Sequence, residues 1–306
     1  MPDTVSVMLS SYNGERFIAE QIESIIAQRE VITYITVRDD GSSDKTVEVV
    51  KNLQSKYPER INLVRGKNVG YRKSFLKLLT LAYRADYYAF SDQDDYWLPE
   101  KCIAAIRKLR KVNNPIALYA SGVIKTDEQL NVIGKTDSAT MPPTLESYFA
   151  RQRLAGCTYV FTEKLRDISS KFTGMDYPSY QMPDHDFVIG SCGFACGAVV
   201  LDHNQYIYHR RLDSSVTSGG AGILKRIKVE YRLTFKRRNV QSTMAKELLT
   251  KCGDIISDEG RDFLSTVSGY GKDKKLKRQL LSNKKFTTEI KTCDMETRLK
   301  VFLGNY

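Results

Sequence analysis

The chain has 306 residues, 42% of them apolar, and a formal net charge of +11, which describes an ordinary globular protein with ample core and excludes a disordered or fibrous chain. The charge is uneven: residues 222–306 hold 20 Lys and Arg against 10 Asp and Glu, whereas residues 1–221 hold 27 against 26. A near-neutral body with a basic tail suggests an anionic partner for the tail, a membrane surface or a nucleic acid.

Six scattered cysteines contain no C-x-x-C pair, and Cys192 and Cys196 are spaced as one apolar helix face, which argues against a zinc site or a disulfide framework. No basic-then-apolar leader precedes the first strand, so the expected compartment is the cytoplasm. The longest uncharged stretch, Phe187 to Leu201, is 15 residues with three glycines. That is shorter than the ~20 apolar residues a bilayer span needs.

In chain order, Thr4 to Ser10 reads as a buried strand, Ser11-Tyr12-Asn13-Gly14 as a turn, and Glu15 to Gln28 as a helix. Ile32 to Val37 is a second strand, broken by Asp39-Asp40-Gly41-Ser42-Ser43-Asp44 before a helix from Lys45 to Lys56. Asn62-Leu63-Val64 is a third, ending in Gly66-Lys67-Asn68-Val69-Gly70 before the helical stretch Tyr71 to Arg84. Tyr87 to Ser91 is the fourth. It opens into Asp92-Gln93-Asp94-Asp95-Tyr96-Trp97, then Pro99 at a helix first turn and a helix from Glu100 to Val112. Strand, polar loop and helix repeated four times specify βαβ units and a mostly parallel sheet.

Beyond residue 113 the alternation weakens. Ile116 to Ser121 and Tyr159 to Phe161 read as strands, Asp137 to Thr144 as loop and Glu163 to Phe172 as helix. Pro178 to Pro183 delivers Asp184-His185-Asp186 to a helix start, and Ala198 to Leu201 with Gln205 to Tyr208 reads as a hairpin across Asp202-His203-Asn204. Past Gly219-Gly220-Ala221-Gly222 the pattern is helical, with Gly253, Gly260, Gly269 and Gly271 as expected breaks. The glycine cluster sets the expected boundary: a catalytic domain over 1–221, in halves of about 1–112 and 113–221, and a basic helical region over 222–306.

The acidic cluster carries the chemistry. Three carboxylates within four residues repel one another unless water or a cation lies among them. Hard oxygens of this kind suit Mg²⁺ or Mn²⁺, which take remaining ligands from water and substrate phosphates. In an open α/β sheet, ligands bind outside the carboxyl ends of the strands. Tyr12-Asn13, Asp39-Asp40, Asn68-Gly70 and Asp92-Asp94 are therefore expected around one crevice, with Asp40 accepting hydrogen bonds from ribose hydroxyls or a pyrimidine NH.

These motifs, in this order over roughly residues 4–220, make the chain resemble a family 2 glycosyltransferase of the GT-A fold. The form Ser91-Asp92-Gln93-Asp94-Asp95-Tyr96-Trp97 is similar to that of rhamnosyltransferase-like enzymes of bacterial polysaccharide synthesis. The resemblance implies an inverting transfer from a UDP- or dTDP-linked sugar to a saccharide acceptor, free or lipid-linked, with Mn²⁺ or Mg²⁺ as cofactor. It implies a donor site of Ser11, Tyr12, Asn13, Asp39, Asp40, Asn68, Gly70, Asp92 and Gln93, with Asp94 on the metal and Asp92 reaching it through water. It puts Gly156, Cys157 and Trp97 on the acceptor side, and Asp186 as the base that takes the acceptor proton, with Asp184 as fallback and His185 as an orienting group. The family's Arg-x-His histidine falls on Leu212, so either His209 replaces it from a shifted position or Arg210 and Arg211 neutralise the diphosphate; bidentate guanidinium binding favours the arginines.

In the tail, Ile223, Ile227, Tyr231 and Phe235 form one face of a basic amphipathic helix, fit for peripheral attachment to an anionic membrane. The competing reading is that this face packs on the catalytic domain with its cations solvated, and a second use of the tail is homodimer contact through Leu276 to Leu281 or Phe302. Two other readings are weaker. A sugar nucleotidyltransferase would carry a glycine-rich, arginine-bearing loop where Ser10-Ser11-Tyr12-Asn13-Gly14 stands, and no nucleic-acid-binding motif accompanies the basic tail.

Overall fold

A computed structural model describes residues 1–212 and 236–306 of the chain. The boundary expected at the 219–222 glycines and the amphipathic helix expected over 223–235 lie outside the described residues. Two compact units emerge. The first comprises Met1–Ala139, Leu154–Thr173 and Gly197–Arg210; the second comprises Thr140–Arg153, Gly174–Cys196 and the described part of Arg211–Tyr306.

The first unit is built on a sheet whose strands are β1 (Asp3–Ser11), β2 (Val31–Asp39), β3 (Ile61–Arg65), β4 (Tyr87–Ser91), β5 (Tyr96–Trp97), β6 (Ala117–Thr126), β7 (Val132–Lys135), β8 (Val160–Thr162) and β9 (Ala198–Arg210). The order is β3-β2-β1-β4-β8-β6-β9-β5, with β7 hydrogen-bonded to β6. β1 runs parallel to β2 and β4, β2 parallel to β3, and β6 parallel to β9, whereas β8 is antiparallel to β4 and β6. The central position of β1 explains its sequence: Val5, Ser6, Val7, Met8 and Leu9 are buried in succession, as a parallel strand covered on both faces requires.

Helices α1 (Ile18–Ile26), α2 (Thr46–Lys56), α3 (Tyr71–Leu81), α4 (Lys101–Leu109) and, after the short α5 (Leu145–Ala150) of the second unit, α6 (Glu163–Ser170) follow the strands. α1 to α4 and α6 pack on the sheet, and Ile18, Ile22 and Ile25 of α1 join Val5, Val7, Leu9, Ile35 and Val37 in one core. Each such side chain contributes about 1.5–3 kcal/mol through burial.

The expected hairpin across Asp202-His203-Asn204 is instead a bulge within continuous β9. Ser121 is opposite Asp202 and Gly122 opposite Gln205, so His203 and Asn204 are extra residues on one strand. The side chain of Asp202 explains why the chain kinks without reversing. Its carboxylate is buried, receives the Tyr119 hydroxyl at 2.8 Å and the Asn204 amide at 3.1 Å, and pairs with Lys108 at 2.8 Å. A turn there would drag this charge to the surface and leave β6 without its parallel partner.

The second unit is helical among its described residues: α5, α7 (His185–Cys196), α8 (Val240–Cys252), α9 (Asp258–Gly269), α10 (Lys274–Ser282) and α11 (Lys291–Leu303). Phe149 meets Phe263, and Phe286 meets Tyr306, edge to face through its core, with Phe263 and Phe286 tilted against each other. Gly260, expected as a break, lies in the first turn of α9, because the Ser257 side chain caps that helix and accepts from the Gly260 amide. No described helix is long and apolar enough to cross a membrane.

Candidate active site

Parallel pairing puts the carboxyl ends of β1, β2, β3 and β4 along one edge, and side chains tie their loops together. Gln93 accepts from the Tyr12 amide at 2.8 Å and donates to its carbonyl at 3.1 Å. The Asn13 amide donates to Ser42 Oγ at 2.9 Å, and Asn13 Oδ1 accepts from the Ser43 amide at 2.9 Å. Asp40 spans the β2 and β3 loops, accepting from the amides of Val69 at 3.0 Å and Gly70 at 2.9 Å and pairing with Arg38 at 2.5 Å. Asp39 closes its own turn by accepting from the amides of Gly41 and Ser42. The first four motifs of the sequence are thus one connected structure, with Tyr12 half exposed beside them.

This wiring also alters roles. Asp39 and Asp40 are each 2% exposed, and their carboxylates are engaged by the protein; they shape the loops first. Gly70, at φ +80° and exposed, opens α3, and nothing stands within 4 Å of where its Cβ would be. The open backbone leaves the positive end of the α3 dipole facing solvent, where an anion is favoured. Ser11 is buried, and its hydroxyl has no partner among the described residues.

The acidic turn after β4 divides its carboxylates. Asp95 is fully buried; its Oδ1 lies 2.6 Å from Nδ1 of His209, and its Oδ2 has no nitrogen or oxygen partner among the described residues. Ligand atoms of Asp92, Asp95, Cys157 and His209 lie within 4.8 Å of one another. The group suited to an ion therefore uses Asp95 where the sequence pointed to Asp94, because β5 starts at Tyr96 and pairs antiparallel with β9, bringing Tyr208, and with it His209, to this turn. Asp94 is pushed up to about 6 by burial and by the adjacent Asp95 charge. The donor set of two carboxylates and an imidazole, with the buried Asp95 carboxylate facing His209 and the Cys157 thiol, fits a divalent cation. The Cys157 thiol is held well above its ordinary value by burial and by the charges of Asp95 and Asp92, so it contributes a neutral neighbour.

Two expectations for this region are corrected. Arg210, expected on the diphosphate, is 3% exposed: Nη1 donates to the carbonyl of Asp94 at 3.0 Å, Nε to that of Glu128 at 3.0 Å, and Nη2 pairs with Glu20. It is a strut for the acidic turn, with its donors directed at protein oxygens. Arg211 belongs to the second unit. Trp97, expected beside the acceptor, is 1% exposed in the main core, with Lys101 Nζ 3.5 Å from the ring centroid. Burial lowers that lysine to about 8. Gly156 and Cys157 form a buried single turn leading into β8.

Asp184, His185 and Asp186 open α7 in the second unit. Asp184 pairs with Arg237, whose Nη2 also donates to the Met182 carbonyl at 2.8 Å, and His185 is buried. Asp186 accepts from the Phe187 amide at 2.8 Å. It is raised to about 6, first by burial and then by the Asp184 charge. Tyr148 donates to the Asp186 carbonyl at 3.0 Å and crosses α7 where a Cβ on Gly190 would stand 2.1 Å from its hydroxyl.

Sequence reasoning gave Asp95 no role of its own and passed over Glu20, Glu128 and Arg38. A doubled carboxylate directly before an aromatic strand pair was the available signal for Asp95. Nothing local marks the other three.

A sheet of this order, with a carboxylate and histidine cluster at the exit of its fourth strand, defines a nucleotide-sugar-type α/β fold, and comparison with known proteins assigns it. The model of the family described as "Glycosyl transferase family 2" matches residues 6–175, more than half of the chain, which therefore belongs to that family. The dTDP-rhamnosyl transferase RfbG of Shigella flexneri is 36% identical over 162 residues, covering 51% of this chain and 54% of that protein. The putative glycosyltransferase EpsE of Bacillus subtilis (strain 168) is 35% identical over 127 residues, 40% of this chain and 44% of its own length. The chain thus spans about half the length of the curated relatives it matches. Among solved structures, S. aureus TarS 1-349 superposes with a TM-score of 0.58 at 16% identity, covering 99% of this chain and 92% of that one. Mannosyltransferase PcManGT from Pyrobaculum calidifontis, in complex with GDP-Man and Mn²⁺, gives 0.52 at 14%, covering 99% and 87%. These likenesses show the fold, which is GT-A.

Proposed function

We propose that this protein is an inverting glycosyltransferase that moves a sugar, rhamnose from dTDP or a hexose from UDP, to a glycan or lipid-linked saccharide in the synthesis of a bacterial surface polysaccharide. The observation that carries the reading is the edge where Tyr12, Asn13, Asp40, Asn68, Gly70 and the Asp92–Asp95 turn are tied into one structure at the carboxyl ends of parallel strands. The relative RfbG, named as a dTDP-rhamnosyl transferase, supports rhamnose, and a TarS complex with UDP-GlcNAc supports a nucleotide-sugar donor on this fold.

In this reading the half-exposed Tyr12 ring offers a face to the base, and the positive end of the α3 dipole favours phosphate at that helix start. Asp92, Asp95 and His209 would hold Mn²⁺ or Mg²⁺. The bound cation would supply charge neutralisation to the departing nucleoside diphosphate. Arg210 keeps the acidic turn in register from beneath. Asp186 is the base we assign for the acceptor hydroxyl, because a carboxylate near 6 is charged at neutral pH yet basic enough to accept a proton as the bond forms. Asp184, neutralised by Arg237, is the less suited of the pair.

The test is a donor screen on the intact chain. Thermal stability is followed with dTDP-rhamnose and UDP-hexoses, with and without Mn²⁺, and release of nucleoside diphosphate is followed once acceptor is added. A donor-specific rise in melting temperature that grows with metal is expected. A chain that no nucleotide sugar stabilises, with or without metal, removes the proposal.

A further inference from the structure

The last helix, α11, buries Thr297 and Val301 and turns the opposite side outward. On that side Met295 is 71% exposed, Phe302 69%, Leu299 43% and Leu303 43%, with Ile290 exposed at the helix start. Steps of four, three and one residues make them a single stripe along the helix. Large apolar side chains this exposed are informative when they are contiguous, and these are.

The charge around the stripe is predominantly positive, with Asp273 and Glu289 as its exposed carboxylates. Lys291 and Arg298 are exposed on the same helix, while its carboxylates are turned inward: Asp294 accepts from Thr287 at 2.6 Å and from the Thr288 amide, and Glu296 pairs with Arg151. Neighbouring α10 exposes Lys274, Lys275 and Arg278. Its Lys277 donates to the Phe302 carbonyl at 2.7 Å with its ammonium 5.5 Å from the Phe302 ring. Residues 271–306 carry ten Lys and Arg against four Asp and Glu.

We propose that α10 and α11 form a docking surface for an anionic lipid bilayer, with Met295, Leu299, Phe302 and Leu303 entering the interface and the surrounding cations meeting lipid phosphates. Charge selects this occupant. Pairing the stripe with a second copy of the chain would bring two basic surfaces face to face, whereas an anionic headgroup layer neutralises the cations and accepts the apolar side chains at the same depth. The surface is distinct from the amphipathic helix expected over 223–235 and does not rest on the sugar-transfer reading.

The test is co-sedimentation of the full chain with phosphatidylcholine vesicles, with and without phosphatidylglycerol. Binding only to the anionic vesicles, weakened by salt, is expected. The combined change Met295→Gln, Leu299→Gln and Phe302→Gln should cut it at least tenfold, as should Lys274→Glu, Lys275→Glu and Arg278→Glu. All six positions carry exposed side chains, so circular dichroism and melting temperature should match the parent. Absence of binding by the parent chain, or binding that both variants retain, overturns the proposal. So does a parent dimer in sedimentation velocity that the glutamine variant dissociates, which would assign the stripe to a second copy.

Discussion

Asp186 carries two consequences that belong to a single side chain. Its folded value near 6 lies above the ordinary 3.8, so the fold binds the proton more tightly than the unfolded chain does. Stability contributed at this position is therefore present at low pH and is lost as pH rises from about 4 through 6. Asp186→Asn removes that cost and should raise the melting temperature at pH 7, by on the order of 1 kcal/mol in stability. The same change should leave donor binding intact and lower turnover by about 10²- to 10⁴-fold. Activity of the parent should climb with pH through about 6; a flat profile there, or full turnover in the variant, would reject Asp186 as the base. Asp95→Asn tests the other residue-level assignment. The amide keeps the volume and a contact to His209 but loses the charge, so the metal-dependent part of the donor-induced shift should vanish while the metal-independent part stays. If Asp94→Asn does this and Asp95→Asn does not, the ligand set reverts to the one the sequence suggested.

Elements were legible where their pattern was local and obscure where pairing decided them. The first four strands and helices follow from apolar periodicity and from loop residues that cannot continue either structure. β9 did not, because Asp202-His203-Asn204 has the composition of a turn, and only pairing with β6 together with the buried Asp202 keeps the strand continuous. Gly122 marks the same junction from the β6 side: a Cβ there would stand 1.9 Å from the Thr136 carbonyl oxygen and 2.8 Å from its carbon. Backbone cannot swing aside as a flexible side chain can. Gly122→Ala should therefore destabilise by about 1–3 kcal/mol or more, read as a lower denaturation midpoint, and an unchanged midpoint would show that the β6–β7 connection yields.

For the whole molecule, donor binding is read through global stability. A nucleotide sugar at a hundredfold excess over its Kd adds about 2.7 kcal/mol to the folded state if the unfolded chain does not bind it. That is large against the 5–15 kcal/mol that holds a typical domain together, so the donor screen has a readable signal even before an acceptor is known. The charge asymmetry also acts at this scale. The basic tail of the chain contains α10 and α11, and their cations lie beside an exposed apolar stripe, an arrangement that net charge could suggest but not locate.

The sequence by itself determined the family, the parallel sheet and the four loops that meet at its edge, because strand, helix and loop preferences are set by neighbours within a few residues and parallel topology then dictates which ends align. The tertiary structure decided what each polar side chain does there. Asp95 meets His209 across 114 positions of chain, and Arg210 reaches Glu20 across 190. Such pairs depend on strand register and side-chain direction, which no local spacing encodes, and they turned an expected phosphate-binding arginine into a buried strut and moved the candidate metal ligand by one residue.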